Sequence, residues 1–120
     1  MPGTVKKSFD SPDETRKPDK TEVQVVDLNG LKVAQMTLQP GWRWSECIKP
    51  VVNTESCQIH HEGTLVQGRM HVKHNDGTEI EIGPGDAYVI EPGHDAWVVG
   101  DDVVIGFEFD SSAAERFAKM

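Results

Sequence analysis

Residues 63–93 read GTLVQGRMHVKHNDGTEIEIGPGDAYVIEPG. Short runs rich in β-branched and aromatic residues alternate with Gly, Pro, Asn and Asp, the punctuation of a chain that reverses every few residues. Within it, Asn75, Asp76 and Gly77 separate "MHVKH" from "TEIEI", so these two segments are expected to pair as an antiparallel hairpin. Ile80 and Ile82 share one face of the second segment and Glu79 and Glu81 the other, the two-residue period of a sheet with one wet side. Pro84-Gly85 and Pro92-Gly93 predict tight turns on either side of the strand "AYVI".

The same pattern extends outward. From Glu22 onward, "VQVVDL", "LKVAQMTLQ", "WRWSECI", "SCQIHH", "DAWVV" and "VVIGFEF" read as further strands. Asn29-Gly30 between the first two is the pair that best tolerates the positive φ angles of a hairpin turn. Strands of this kind need a second layer or a closed barrel to cover their apolar face, so the fold is expected to be all-β. At the end, "SSAAERFAKM" offers Ser111 and Ser112 as N-caps, with Glu115 three residues beyond Ser112, and predicts a short C-terminal helix. Residues 1–21 are charged, proline-bearing and nearly free of large apolar side chains, which predicts a flexible N-terminal tail or a loosely docked arm. Residues 22–120 then form one domain, a length that buries a single core without disulfides.

Composition excludes some partners. Twelve Lys and Arg against twenty Asp and Glu give a net charge of -8, which repels nucleic acid and anionic lipid surfaces. No apolar run approaches a bilayer span, and the N-terminus lacks the apolar centre of a signal peptide. A cytoplasmic protein is expected, with Cys47 and Cys57 as free thiols or ligands rather than a disulfide.

The run "GTLVQGRMHVKHNDGTEIEIGPGDAYVIEPG" resembles the central half of a cupin, through Gly68, Gly85, Asp86, Pro92 and Gly93, and the likeness covers roughly residues 38 to 109. It implies a double-stranded β-helix, or jelly-roll barrel, that pairs as a homodimer. In metal-binding cupins the first motif supplies two His and a Glu and the second a further His. Aligned on Gly68 and Gly85, those positions hold Cys57, Ile59, His61 and Ala96. The usual residue types are absent, and Glu62 lies beside the carboxylate position with the wrong parity.

Two histidines and a thiol can nevertheless rebuild a site. Alternation places Cys57, Ile59 and His61 on one face, the barrel interior in the cupin register, and His94 lies two residues before Ala96. Cys57, His61 and His94 form a ligand set that suits zinc with an open fourth position, with iron, manganese and nickel also compatible. Cys47 is a possible fourth ligand. A direct Cys57/His61 nucleophilic pair is not expected, because side chains four residues apart on a strand stand too far apart to hydrogen-bond. His60, His71 and His74 read as solvated, and Asp86 as a turn-holding residue.

Trp42 and Trp44 alternate with Arg43. Packing is the commoner role for such residues. Facing the barrel interior, they would give a flat apolar wall for a small planar ligand, in a pocket of Trp44, Ile59, Tyr88 and Ala96 with the Tyr88 hydroxyl as a contact. The first functional expectation is therefore a small-molecule-binding cupin, which uses a divalent metal if the rebuilt site is occupied. The second is a metal-dependent dioxygenase, isomerase or lyase with the same ligands. The lack of a carboxylate at the ligand position places binding ahead of oxygen chemistry.

Overall fold

The computed structural model describes residues 3–109. Its strands form two antiparallel sheets, as the turn chemistry predicted. The larger runs in the order β1 (Glu14–Arg16), β2 (Thr21–Leu28), β3 (Leu31–Leu38), β9 (Val104–Phe109), β4 (His61–Gln67), β7 (Ala87–Ile90). The smaller runs β6 (Glu79–Ile82), β5 (Arg69–His74), β8 (His94–Val99). β9 therefore sits between β3 and β4, bringing the end of the described chain into the middle of the larger sheet.

The turns are built as expected. Asn29 and Gly30 take φ of 55° and 104° and join Leu28 to Leu31, which face each other across the β2–β3 hairpin. Gly85 and Gly93 have φ of 89° and 93° on either side of β7. Asp86 accepts the Gly83 backbone N–H at 2.8 Å, the turn-holding role read from the sequence. β5 and β6 pair as the predicted hairpin, with Val72 opposite Ile80 and Met70 opposite Ile82.

The core lies between the sheets. Val23, Val25, Met36, Leu38 and Leu65 point inward from the larger sheet, and Met70, Val72, Ile82, Ala96 and Val98 from the smaller. Shortening a buried Leu such as Leu65 to Ala would cost about 2–5 kcal/mol.

Four local expectations change. "WRWSECI" is not a strand: only Arg43 bridges to Trp97, and the chain then turns through two single-turn helices, α1 (Trp44–Cys47) and α2 (Lys49–Val52). A short apolar run does not distinguish the two states by period, and Asp95 favours the helix here by accepting the Ser45 backbone N–H at 3.1 Å. "SCQIHH" makes only a bridge, Cys57 to His94, and regular pairing starts at His61. Ile80 is 55% exposed because β6 is an edge strand, so only Ile82 of that pair enters the core. Within the stretch read as a tail, residues 14–16 add strand β1 to β2, and the Phe9 ring lies 5.6 Å from that of Phe107. The predicted C-terminal helix lies outside the described residues. Among those described, no helix is long and apolar enough to cross a membrane.

Candidate metal centre

Backbone pairing brings together residues far apart in the chain. Cys57 N–H donates to the His94 carbonyl at 2.7 Å and Gly93 N–H to the Cys57 carbonyl at 2.7 Å, which sets Cys57 opposite the first residue of β8. His61 opens β4, paired with Ile90 of β7. The inward side chains of Cys57, His61 and His94 meet inside the barrel, each buried, and one donor atom from each lies within 4.8 Å of the others.

Each histidine is oriented from behind. His61 donates Nδ1–H to both oxygens of Glu108, at 2.8 and 3.1 Å, and its Nε2 stands 3.6 Å from Cys57 Sγ. His94 donates Nδ1–H to the Glu91 carbonyl at 2.7 Å, which leaves Nε2 as the nitrogen that faces Cys57. Glu108 is 1% exposed and also accepts the Tyr88 hydroxyl at 2.7 Å. Gly63, opposite Glu108 on β4, makes room for this packing: a Cβ there would stand 2.2 Å from the Phe107 carbonyl oxygen and 3.1 Å from the Tyr88 hydroxyl.

The electrostatics follow from burial and neighbours. Burial pushes the Cys57 thiol up, but hydrogen bonds and positive charge from His61 and His94 outweigh it and bring it down to about 6. Burial pushes His61 down, while the Glu108 charge and the Cys57 contact carry it up to about 10. Without a metal, these shifts favour a thiolate at Cys57 and an imidazolium at His61 near neutral pH. Burial and then the Glu108 charge raise the Tyr88 hydroxyl, so it remains a donor.

These groups fit a metal ion. One thiolate and two imidazoles are a zinc ligand set, and zinc bond lengths of about 2.3 Å to sulfur and 2.0–2.1 Å to nitrogen put neighbouring donors about 3.3–3.6 Å apart. The Cys57–His61 separation already meets that spacing. A carboxylate behind one ligating histidine and a backbone carbonyl behind the other are the usual outer partners of such a site.

Several sequence expectations need correction here. Cys57 and His61 do touch, because the segment between them is not a regular strand. Cys47 is not in the cluster; its Sγ lies 3.8 Å from an Asp19 carboxylate oxygen instead. Trp44 and Ala96 line the cavity around the cluster, whereas Ile59 packs against the core and Tyr88 reaches the centre only through Glu108. The cavity offers only about 20 Å³, too little for the planar aromatic ligand the tryptophans suggested. Reading by motif position missed Glu108. It lies in phase with the inward Val104 and Gly106 of β9, and a carboxylate in an apolar phase was the available signal.

His71 and Trp97 lie outside the barrel, their rings stacked at 4.9 Å, with the Arg43 guanidinium 4.2 Å above the indole. His60 pairs with Glu91, and His74 hydrogen-bonds the Glu91 carbonyl at 3.3 Å.

No family model and no curated protein matches the chain. Solved structures do. A protein of unknown function from Rhizobium leguminosarum superposes with TM-score 0.60 at 16% identity, over 88% of this chain and 95% of that one. The oxalate decarboxylase of Lactobacillus farciminis in its formate complex gives 0.57 at 20% identity, over 80% of this chain and 30% of that one. An oxalate decarboxylase of Bacillus subtilis gives 0.59 at 18%, over 91% and 30%. The chain thus spans 30% of those enzymes' length. At such identities the likeness establishes the fold, which is of the cupin type.

Proposed function

We propose that this protein is a single-domain cupin that holds one divalent metal ion through Cys57, His61 and His94, and binds a small molecule at the position those ligands leave open. The observation that carries the reading is the orienting shell: each histidine turns a donor nitrogen toward Cys57 because its other nitrogen is engaged, by Glu108 or by the Glu91 carbonyl. Zinc suits the thiolate and two imidazoles better than iron, manganese or nickel. Such an ion supplies a Lewis acid that polarises a bound ligand.

Binding is placed ahead of catalysis for a reason of inventory. The titratable groups lining the cavity are Cys57, His61, His94 and Glu108. Three are the ligands, and Glu108 is held by His61 and Tyr88. None remains as an independent acid or base, which a dioxygenase, isomerase or lyase would have to replace with a group on its substrate or metal.

Elemental analysis of untagged protein prepared without chelator tests the reading, beside Cys57→Ser and His94→Ala variants. About one metal ion per chain, lost in both variants, is the expected result. A metal-free wild type after reconstitution, or an undiminished content in the variants, would overturn it.

A further inference from the structure

The cavity around the cluster has one more polar wall residue. Trp44, the first residue of α1, lines it at 2% exposure, and its Nε1–H meets no acceptor on the protein. It is the one buried side-chain nitrogen or oxygen so left among the described residues. Folded proteins seldom keep a buried donor unpaired, because it forfeits its water bonds without replacement. Trp42, two residues earlier, shows the ordinary arrangement: it is equally buried, and its Nε1–H donates to Thr21 Oγ1 at 2.9 Å.

Around Trp44 the other polar atoms are committed to one another or to the metal position. The rest of the wall is apolar, from Met36, Leu38, Met70, Ile90, Ala96 and the ring of Trp42, whose own N–H is already committed. A guest therefore finds two points of attachment, the open coordination position and the indole N–H. The space of about 20 Å³ holds one or two waters, and the pliable Met36 and Met70 side chains can give slightly.

We infer that Trp44 selects the ligand of this centre, donating its Nε1–H to an acceptor atom of a metal-bound anion of about three heavy atoms or fewer. The inference rests on the metal reading above. An anion such as a carboxylate is favoured because it offers one oxygen to the metal and another to the indole, which presents only a donor.

Formate is the probe and benzoate the size control, on the full chain loaded with cobalt(II), whose visible spectrum reports ligand exchange. Wild type should bind formate and not benzoate. Trp44→Phe, which removes the N–H and keeps an aromatic wall, should carry the same metal content and bind formate about tenfold more weakly. In the zinc-loaded wild type the Trp44 indole N–H resonance should move downfield with formate, and further than that of Trp42, which also lines the cavity but is already bonded to Thr21. This readout decides the matter even if the variant does not fold. Equal formate affinity in Trp44→Phe, an unmoved Trp44 resonance, or no formate binding by metal-loaded wild type would each overturn the inference and leave the metal centre standing. Failure of wild type to take up metal would remove both.

Discussion

Two histidine–glutamate pairs in this molecule have nearly the same contact length and different surroundings. Inside the barrel His61 meets Glu108 at 2.8 Å, with side chains 6% and 1% exposed; outside, His71 meets Glu79 at 2.7 Å, with 23% and 47% exposed. Distance alone would rank them equal. Burial separates them, because water screens the outer pair, while the inner pair is enclosed with Tyr88, Cys57 and His94. The inner pair can orient a metal ligand, whereas the outer one ties together two strands that backbone hydrogen bonds already join.

Substitution at Glu108 should break this contrast most strongly. Glu108→Ala strips partners from a buried imidazolium and a buried hydroxyl and should cost about 3–5 kcal/mol in urea unfolding. Gly63→Ala should cost about 1–3 kcal/mol in the same assay, since its Cβ would push β4 away from the Phe107 carbonyl and disturb the seat of Glu108. Glu108→Gln keeps the shape and one acceptor oxygen. It should weaken metal binding about 10–100-fold in a competition titration against a chelator, with a smaller loss of stability than Glu108→Ala. At the small end, Glu79→Ala should change stability by less than about 1 kcal/mol and leave metal affinity unaltered. A large effect from Glu79→Ala would mean that exposure does not separate the pairs.

Titration of the metal-free protein sharpens the same point. The folded Cys57 thiol is depressed to about 6 from 9.0, so its contribution to stability is complete above 9.0 and disappears as pH falls through about 6. His61 is raised to about 10 from 6.5, so its contribution is complete below 6.5 and is lost as pH rises through about 10. One thiolate should be visible by ultraviolet absorbance down to about pH 6, and His61→Ala should move its midpoint upward. An unmoved midpoint would remove His61 as its cause.

Much of the fold was legible because its signals are local. Asn29-Gly30, the Asn75–Gly77 turn and the two Pro-Gly pairs each specify a reversal from their own backbone preferences, and the alternation of "TEIEI" and "VVIGFEF" needs only neighbours on a strand. The centre was legible in part. Cys57, His61 and His94 could be named from the resemblance and from parity, but parity failed where the chain is irregular. It kept Cys57 and His61 apart because it assumed a strand, whereas the chain leaves a single bridge at Cys57 and enters β4 only at His61. "WRWSECI" went astray likewise, since four residues of apolar alternation suit a strand or one helical turn equally well.

The sequence by itself determined the class of structure, through turn residues whose allowed φ angles are a property of single amino acids, and it named three side chains able to hold a metal. The tertiary structure decided which of them meet. Glu108 becomes the partner of His61 because β9 inserts beside β4, and Cys57 faces His94 because their backbones exchange hydrogen bonds. Turn preferences act over a few residues. The charge states of the centre and the unpaired Trp44 N–H arise from water exclusion and from groups that only the closed barrel brings within hydrogen-bonding range.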